Sequence, residues 1–214
     1  MSTSAKYEGQ AERWSEEAYA DPGYYLERRA AVTVSLGPPL EPGDRVLDLA
    51  CGDGGFGEAL LRRGLVYLGV DASEGMVTAA RRRLGDRAEI ALADLNEFRP
   101  SEPVAAATIF RAVYYARDRL ELFRHAAAFT EKKLVFDLNP RQYRVDNVVA
   151  DLRRAGFERV DLQPFFAPQR VALPGPLSAA LRAAERSGLL ARLALRLRFS
   201  YIVAASRSDV SPRS

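Results

Sequence analysis

Apolar residues along this chain fall into short runs that alternate with stretches of helical spacing, and the alternation begins at Arg45. Val46-Leu47-Asp48-Leu49 reads as a first strand, followed by a glycine loop and a helix Phe56–Arg63 that Gly64 ends. Val66–Val70 is the second strand, and Ser73 caps a helix running to Leu84, with Gly85 as its stop. Ala88–Ala93 and Val104–Phe110 are the next two strands, and Asp118-Arg119-Leu120-Glu121 has the spacing that opens a helix reaching about Thr130. Leu134–Leu138 reads as a fifth strand, Arg144–Ala155 as a helix ended by Gly156, Arg159–Phe165 as a sixth strand and Phe199–Ser206 as a seventh. Strand and helix in alternation imply a mostly parallel sheet with helices on both faces, an α/β architecture. Upstream, Asp21-Pro22 starts a helix that Gly37-Pro38-Pro39 stops, after an aromatic segment with Tyr7, Trp14 and Tyr19.

The 214 residues fit one generous domain. It divides into an N-terminal helical cover (1–36), a cofactor-binding core (37–166), a helical insertion (167–198), a last strand (199–206) and a tail (207–214). Within the insertion, two leucine-spaced segments, about Leu177–Ser187 and Leu189–Leu197, follow Pro174-Gly175-Pro176. Charge sharpens this division. The net +3 sits unevenly, since residues 170–214 hold eight arginines against Glu185 and Asp209, a local +6, while the first 169 residues net −3. With 28 of the 31 basic residues being Arg, the bias reads as coding preference, and a general nucleic-acid surface is not expected. The basic 177–198 helices leave three readings open, a lid over the sheet, an interfacial helix or a homodimer surface. The single cysteine, Cys51, forms no internal disulfide, and no clustered ligand set suggests a metal. Without a secretory signal or a bilayer-length apolar run, the expected location is cytoplasmic.

The chemistry concentrates in Asp48-Leu49-Ala50-Cys51-Gly52-Asp53-Gly54-Gly55-Phe56-Gly57. Glycines after a first strand permit a tight turn and a close ligand approach, and Asp71, nineteen residues past Gly52, can accept from both hydroxyls of a ribose. The ligand therefore contains a nucleoside. Gly52-x-Gly54-x-x-Gly57 alone also fits a dinucleotide, so a nicotinamide-dependent oxidoreductase stays open, as does a non-catalytic domain of the same fold.

Asp48-x-Ala50-x-Gly52-x-Gly54 resembles the cofactor motif of class I S-adenosylmethionine-dependent methyltransferases. Tyr67-Leu68-Gly69-Val70-Asp71-Ala72-Ser73 and Ala91-Leu92-Ala93-Asp94-Leu95 resemble the family's second and third motifs. The resemblance, from about Arg45 to Phe165, implies a Rossmann-like seven-stranded sheet whose last strand is antiparallel, and S-adenosylmethionine as cofactor. It implies further that Asp48 helps bind the methionine amine, Asp71 the ribose, and Asp94 with the Leu95 amide the adenine, with Met76 against the adenine face. Ala50, Gly52, Asp53, Gly54, Ala72 and Phe110 complete the expected cofactor set, and Tyr25 and Arg29, one turn apart, are expected to hold the methionine carboxylate. Tyr19, Arg111, Tyr114, Tyr115 and Asn139 are candidate contacts to a small-molecule acceptor. The reaction needs alignment and a dry pocket more than an acid or base, and none is assigned; lone His125 is expected on the surface.

Overall fold

The computed structural model describes residues 18–167, 171, 174–185 and 200–207. Seven strands, β1 (Arg45–Leu49), β2 (Val66–Asp71), β3 (Ala88–Leu92), β4 (Val104–Ile109), β5 (Thr130–Leu138), β6 (Arg159–Phe165) and β7 (Ser200–Ser206), form one sheet in the order β3-β2-β1-β4-β5-β7-β6. Adjacent pairs from β3 to β5 are parallel, whereas β7 runs antiparallel to both its neighbours. Six helices accompany them: α1 (Pro22–Ser35), α2 (Gly55–Leu61), α3 (Glu74–Leu84), α4 (Arg119–Ala127), α5 (Val145–Arg154) and α6 (Gly175–Glu185). Two apolar cores sandwich the sheet, and β4, buried along its whole length, is the sort of doubly covered strand a parallel sheet requires.

The capping chemistry read from the sequence fixes the helix starts. Asp21, Ser73 and Asp118 each accept a hydrogen bond from a first-turn amide of α1, α3 and α4. β5 departs from expectation, beginning at Thr130 rather than Leu134. The Lys132-Lys133 pair breaks the apolar run, yet both lysines have partners: Lys132 pairs with Asp44 at 2.6 Å, and fully buried Lys133 donates to the carbonyls of Val34 (3.1 Å) and Leu36 (2.7 Å). Those carbonyls lie at the end of α1, so Lys133 both caps the helix and anchors it to the sheet.

The insertion docks through α6. Glu185 forms an ion pair with Arg28 of α1, and its other oxygen accepts from the Phe166 amide at 2.8 Å. Arg182 donates to the Tyr24 hydroxyl at 3.3 Å. α6 thus sits beyond the carboxyl end of β6, against α1. The second expected helix, Leu189–Leu197, and the aromatics Tyr7 and Trp14 lie outside the described residues. No described helix is long and apolar enough to cross a membrane.

Candidate functional site

In the order β3-β2-β1-β4 the chain reverses direction of progress between β1 and β4, which opens a crevice at their carboxyl ends. A cleft of about 240 Å³ occupies it, lined by Ala50, Gly52, Asp71, Ala72, Ser73, Met76, Ala93, Asp94, Leu95, Asn96, Phe110, Arg111, Ala112, Tyr114 and Tyr115. Two of these residues carry left-handed backbone without being glycine: Ala50 (φ 81°) at the end of β1 and Arg111 (φ 55°) just past β4. Such conformations cost energy and gather where a site needs the backbone held in one shape. Ala50 is held because its amide and that of Cys51 share the Val70 carbonyl, both at 2.8 Å. Arg111 is held because its amide donates to Asp137 at 2.6 Å.

At one end of the cleft, Asp71 accepts from the Gly52 amide (2.9 Å) and the Ser73 amide (3.0 Å). Each carboxylate oxygen keeps a second lone pair for a vicinal diol. Burial raises the Asp71 pKa, opposed by these amides. Asp94 is held by Asn96 and by Arg117 at 2.9 Å, and Met76, Leu95 and Ala93 make the apolar slot beside it. Despite some desolvation, those partners hold Asp94 below the usual carboxylate range. An acid with open lone pairs next to an apolar slot with a polar rim has the chemistry to suit an adenosine.

Several expected contacts lie outside the cleft lining. Asp48, 2% exposed, is sunk beneath the loop, and its oxygens accept from Tyr67 Oη and Thr108 Oγ1, both at 2.7 Å. Burial pushes its pKa up to about 6, against those two donors. It braces the loop from below. Asp53 is turned onto Arg83 (2.8 Å) and the Gly55 amide (3.2 Å), so it joins α2 to α3 instead of facing a ligand. Gly54 is the left-handed N-cap of α2, and a Cβ there would meet Ala80 and Leu84 of α3 at 3.1–3.2 Å; its smallness serves helix packing. Asn139 spends its side chain on the Arg141 amide in the turn after β5. His125, half-buried, has Nε2 2.7 Å from the Phe98 carbonyl, a structural contact rather than an open-surface position.

Tyr25 and Arg29 lie beside the cleft in a sealed cage. Arg29, 4% exposed, donates to the hydroxyls of Tyr19 and Tyr25, each at 3.2 Å. Its guanidinium lies 4.4 Å from the ring centroid of Phe110, 4.8 Å from Tyr25, 5.7 Å from Tyr19 and 5.8 Å from Phe56. Burial opposes its charge, but Tyr19, Tyr25 and Asp137 outweigh that and hold the guanidinium protonated. Tyr19 is likewise part of this cage, stacked on Tyr25 at 4.2 Å, and does not line the cleft.

Sequence reasoning missed Ser73, Ala93, Asn96 and Ala112 as cleft residues, and Tyr67 and Thr108 as the partners of Asp48. Thr108 carried a signal, being the one hydroxyl in the apolar run Val104–Ile109. Gly57 carried another. A Cβ there would fall 2.5 Å from the Tyr67 ring, so that glycine makes room for the side chain that fixes Asp48.

Comparison with known proteins agrees with this geometry. A family model described as "Methyltransferase domain" matches residues 46–133, the stretch from β1 into β5. The chain is 41% identical over 71 residues to a demethylmenaquinone methyltransferase from Clavibacter sepedonicus, a match covering 32% of this chain and 28% of that protein. Among solved structures, a chain of the complex of the Haloferax volcanii Trm112 methyltransferase activator superposes with a TM-score of 0.70 at 17% identity, covering 99% of this chain and 100% of that one. Magnesium protoporphyrin IX methyltransferase from Synechocystis PCC 6803, with bound S-adenosylmethionine, superposes with a TM-score of 0.59 at 16% identity, covering 94% and 84%. Residues 46–133 therefore match a methyltransferase domain, and the chain as a whole shares the fold of solved methyltransferases, one of which holds S-adenosylmethionine.

Proposed function

We propose that this protein transfers the methyl group of S-adenosylmethionine to a small-molecule acceptor by in-line displacement. The observation that carries the reading is the continuity of one cleft from the adenosine end, at Asp71 and Asp94, to a mouth lined by Arg111, Tyr114 and Tyr115. Cofactor and acceptor share that space. The names of the demethylmenaquinone and protoporphyrin enzymes, both acting on small molecules, support the same acceptor class.

When bound, the cofactor supplies a methyl group activated by its sulfonium; the chain supplies position. Asp71 holds the ribose, the Gly52 turn lets the ligand approach the backbone, and Met76 and Leu95 pack the base. Tyr114 and Tyr115, with ring centroids 4.2 Å apart, offer an aromatic wall to the acceptor. The acids lining the cleft, Asp71 and Asp94, stand at the ends of β2 and β3, on the side given to ribose and adenine, so neither is placed to act as general base on an acceptor. The fitting acceptors are therefore those that arrive nucleophilic: a thiolate, phenolate, carboxylate or free amine.

Titration with S-adenosylhomocysteine and NAD should give heat of binding only with the first. Incubation with tritiated S-adenosylmethionine and a fractionated cell extract should place label in the small-molecule fraction. Label confined to protein or nucleic acid, or binding of NAD alone, would overturn the reading.

A further inference from the structure

Arg29 is the expected partner of the cofactor's carboxylate, yet the structure commits it elsewhere. Among the described residues, its guanidinium donates to two phenols, four rings surround it, and it does not line the cleft. Arg111 is the cation that lines it among the described residues. Arg111 follows β4, while of the two lining acids Asp71 ends β2 and Asp94 follows β3. With strands about 4.8 Å apart, the order β3-β2-β1-β4 sets Arg111 roughly 14 Å from Asp94 across the crevice. The acids thus gather at the adenosine end, and the guanidinium stands at the other, past Ala50 and Gly52.

The presentation of Arg111 is built. Its left-handed backbone is pinned through its amide by Asp137 from the neighbouring strand, and its guanidinium rests 5.6 Å from the ring centroid of Tyr19. Tyr19 is in turn locked by stacking on Tyr25 and by the hydrogen bond from Arg29. The caged arginine therefore stiffens the platform on which the cleft arginine lies.

We propose that Arg111, and not Arg29, binds the carboxylate of the cofactor's amino-acid tail, while Arg29 is a positioning residue that fixes Tyr19 beneath it. This rests on the S-adenosylmethionine reading above. A guanidinium suits the task, because its planar fork meets both oxygens of a carboxylate.

The test is calorimetry with two ligands, S-adenosylhomocysteine and its decarboxylated analogue, which keeps the amine. The wild-type protein should prefer the former by ~10-fold or more. Arg111→Met should erase that preference by weakening S-adenosylhomocysteine alone, and Arg111→Lys should restore part of it. Arg29→Lys, which keeps a buried cation beside Tyr19, should reduce the preference without erasing it, as a positioning role requires. The proposal is overturned if Arg111→Met weakens both ligands alike, if it changes neither, or if the wild-type protein shows no preference. An effect of Arg111→Met on acceptor KM alone also overturns it and moves Arg111 to the acceptor. A wild-type protein that binds neither ligand sinks the cofactor reading itself, a distinguishable result.

Discussion

The two ends of the cleft are made by different means. The end at Asp71 and Asp94 comes from residues near one another in sequence: Gly52 and Asp71 are 19 residues apart, and Asp94 and Asn96 only two. Each acid there is held by backbone amides a turn or a strand away. The end at Phe110 and Arg111 is backed by Tyr19, Arg29 and Phe56 behind the lining, with Asp137 pinning the backbone. It is braced from farther still, since Glu185 grips Arg28 across 157 positions. The first end is a local motif, and the second exists only once the whole chain is folded.

That contrast separates what substitutions should do. The largest effect belongs to the assembled end. Arg29→Ala removes a buried side chain from among four rings and should cost ~2–5 kcal/mol of stability, read from urea midpoints. If stability holds and only ligand affinity falls, the cage is a binding site and the contrast breaks. Asp71→Ala should do the opposite, leaving the midpoint little changed while S-adenosylhomocysteine affinity drops by ~1.5–3 kcal/mol, roughly 10–150-fold. Unchanged affinity in the folded variant would remove the ribose from Asp71.

The smallest effect concerns the anchor between cover and sheet. Burial, reinforced by Lys132 and opposed by Asp44 and Asp161, lowers the Lys133 pKa to about 7. Across the window from about 7 to the ordinary value of 10.5, the unfolded chain binds a proton that the native one lacks. Stability from this group therefore rises with pH through that window and is absent below it. Between pH 7 and 9 the wild-type protein should gain on the order of 1–2 kcal/mol relative to Lys133→Met. A flat difference would mean that Lys133 stays charged throughout.

The same contrast explains what could be read in advance. Strand and helix positions, the caps at Ser73 and Asp118, the glycine turn and the cleft placement of Asp71 and Asp94 all follow from spacing within some twenty residues. Asp53 was expected at the cofactor, and its bond to Arg83 was not legible because that partner lies 30 residues on and on another helix. Arg29 was taken for a ligand group because a sequence shows its charge and its neighbour Tyr25, but not the rings of Phe56 and Phe110 that close around it. β5 was started late because a lysine pair looks like solvent until the carbonyls of Val34 and Leu36 are brought to it. What escaped was contact between distant segments, where packing overrides local pattern.

The place of β7 has a consequence for the order of assembly. β6 is made before β7 yet bonds to no other strand of the described sheet; β7 slots between β5 and β6. On a growing chain, β6 has no edge to join until residues 200–206 emerge. Nor can the Phe165 ring, packed edge-on at 5.3 Å from Tyr25, settle before then. The glycine loop can form early on β1 to β4, whereas this flank of the cover waits for the last strand. A nascent or truncated chain stopping short of β7 would expose the edge of β5 and a loose β6, the kind of unpaired strands on which chains aggregate.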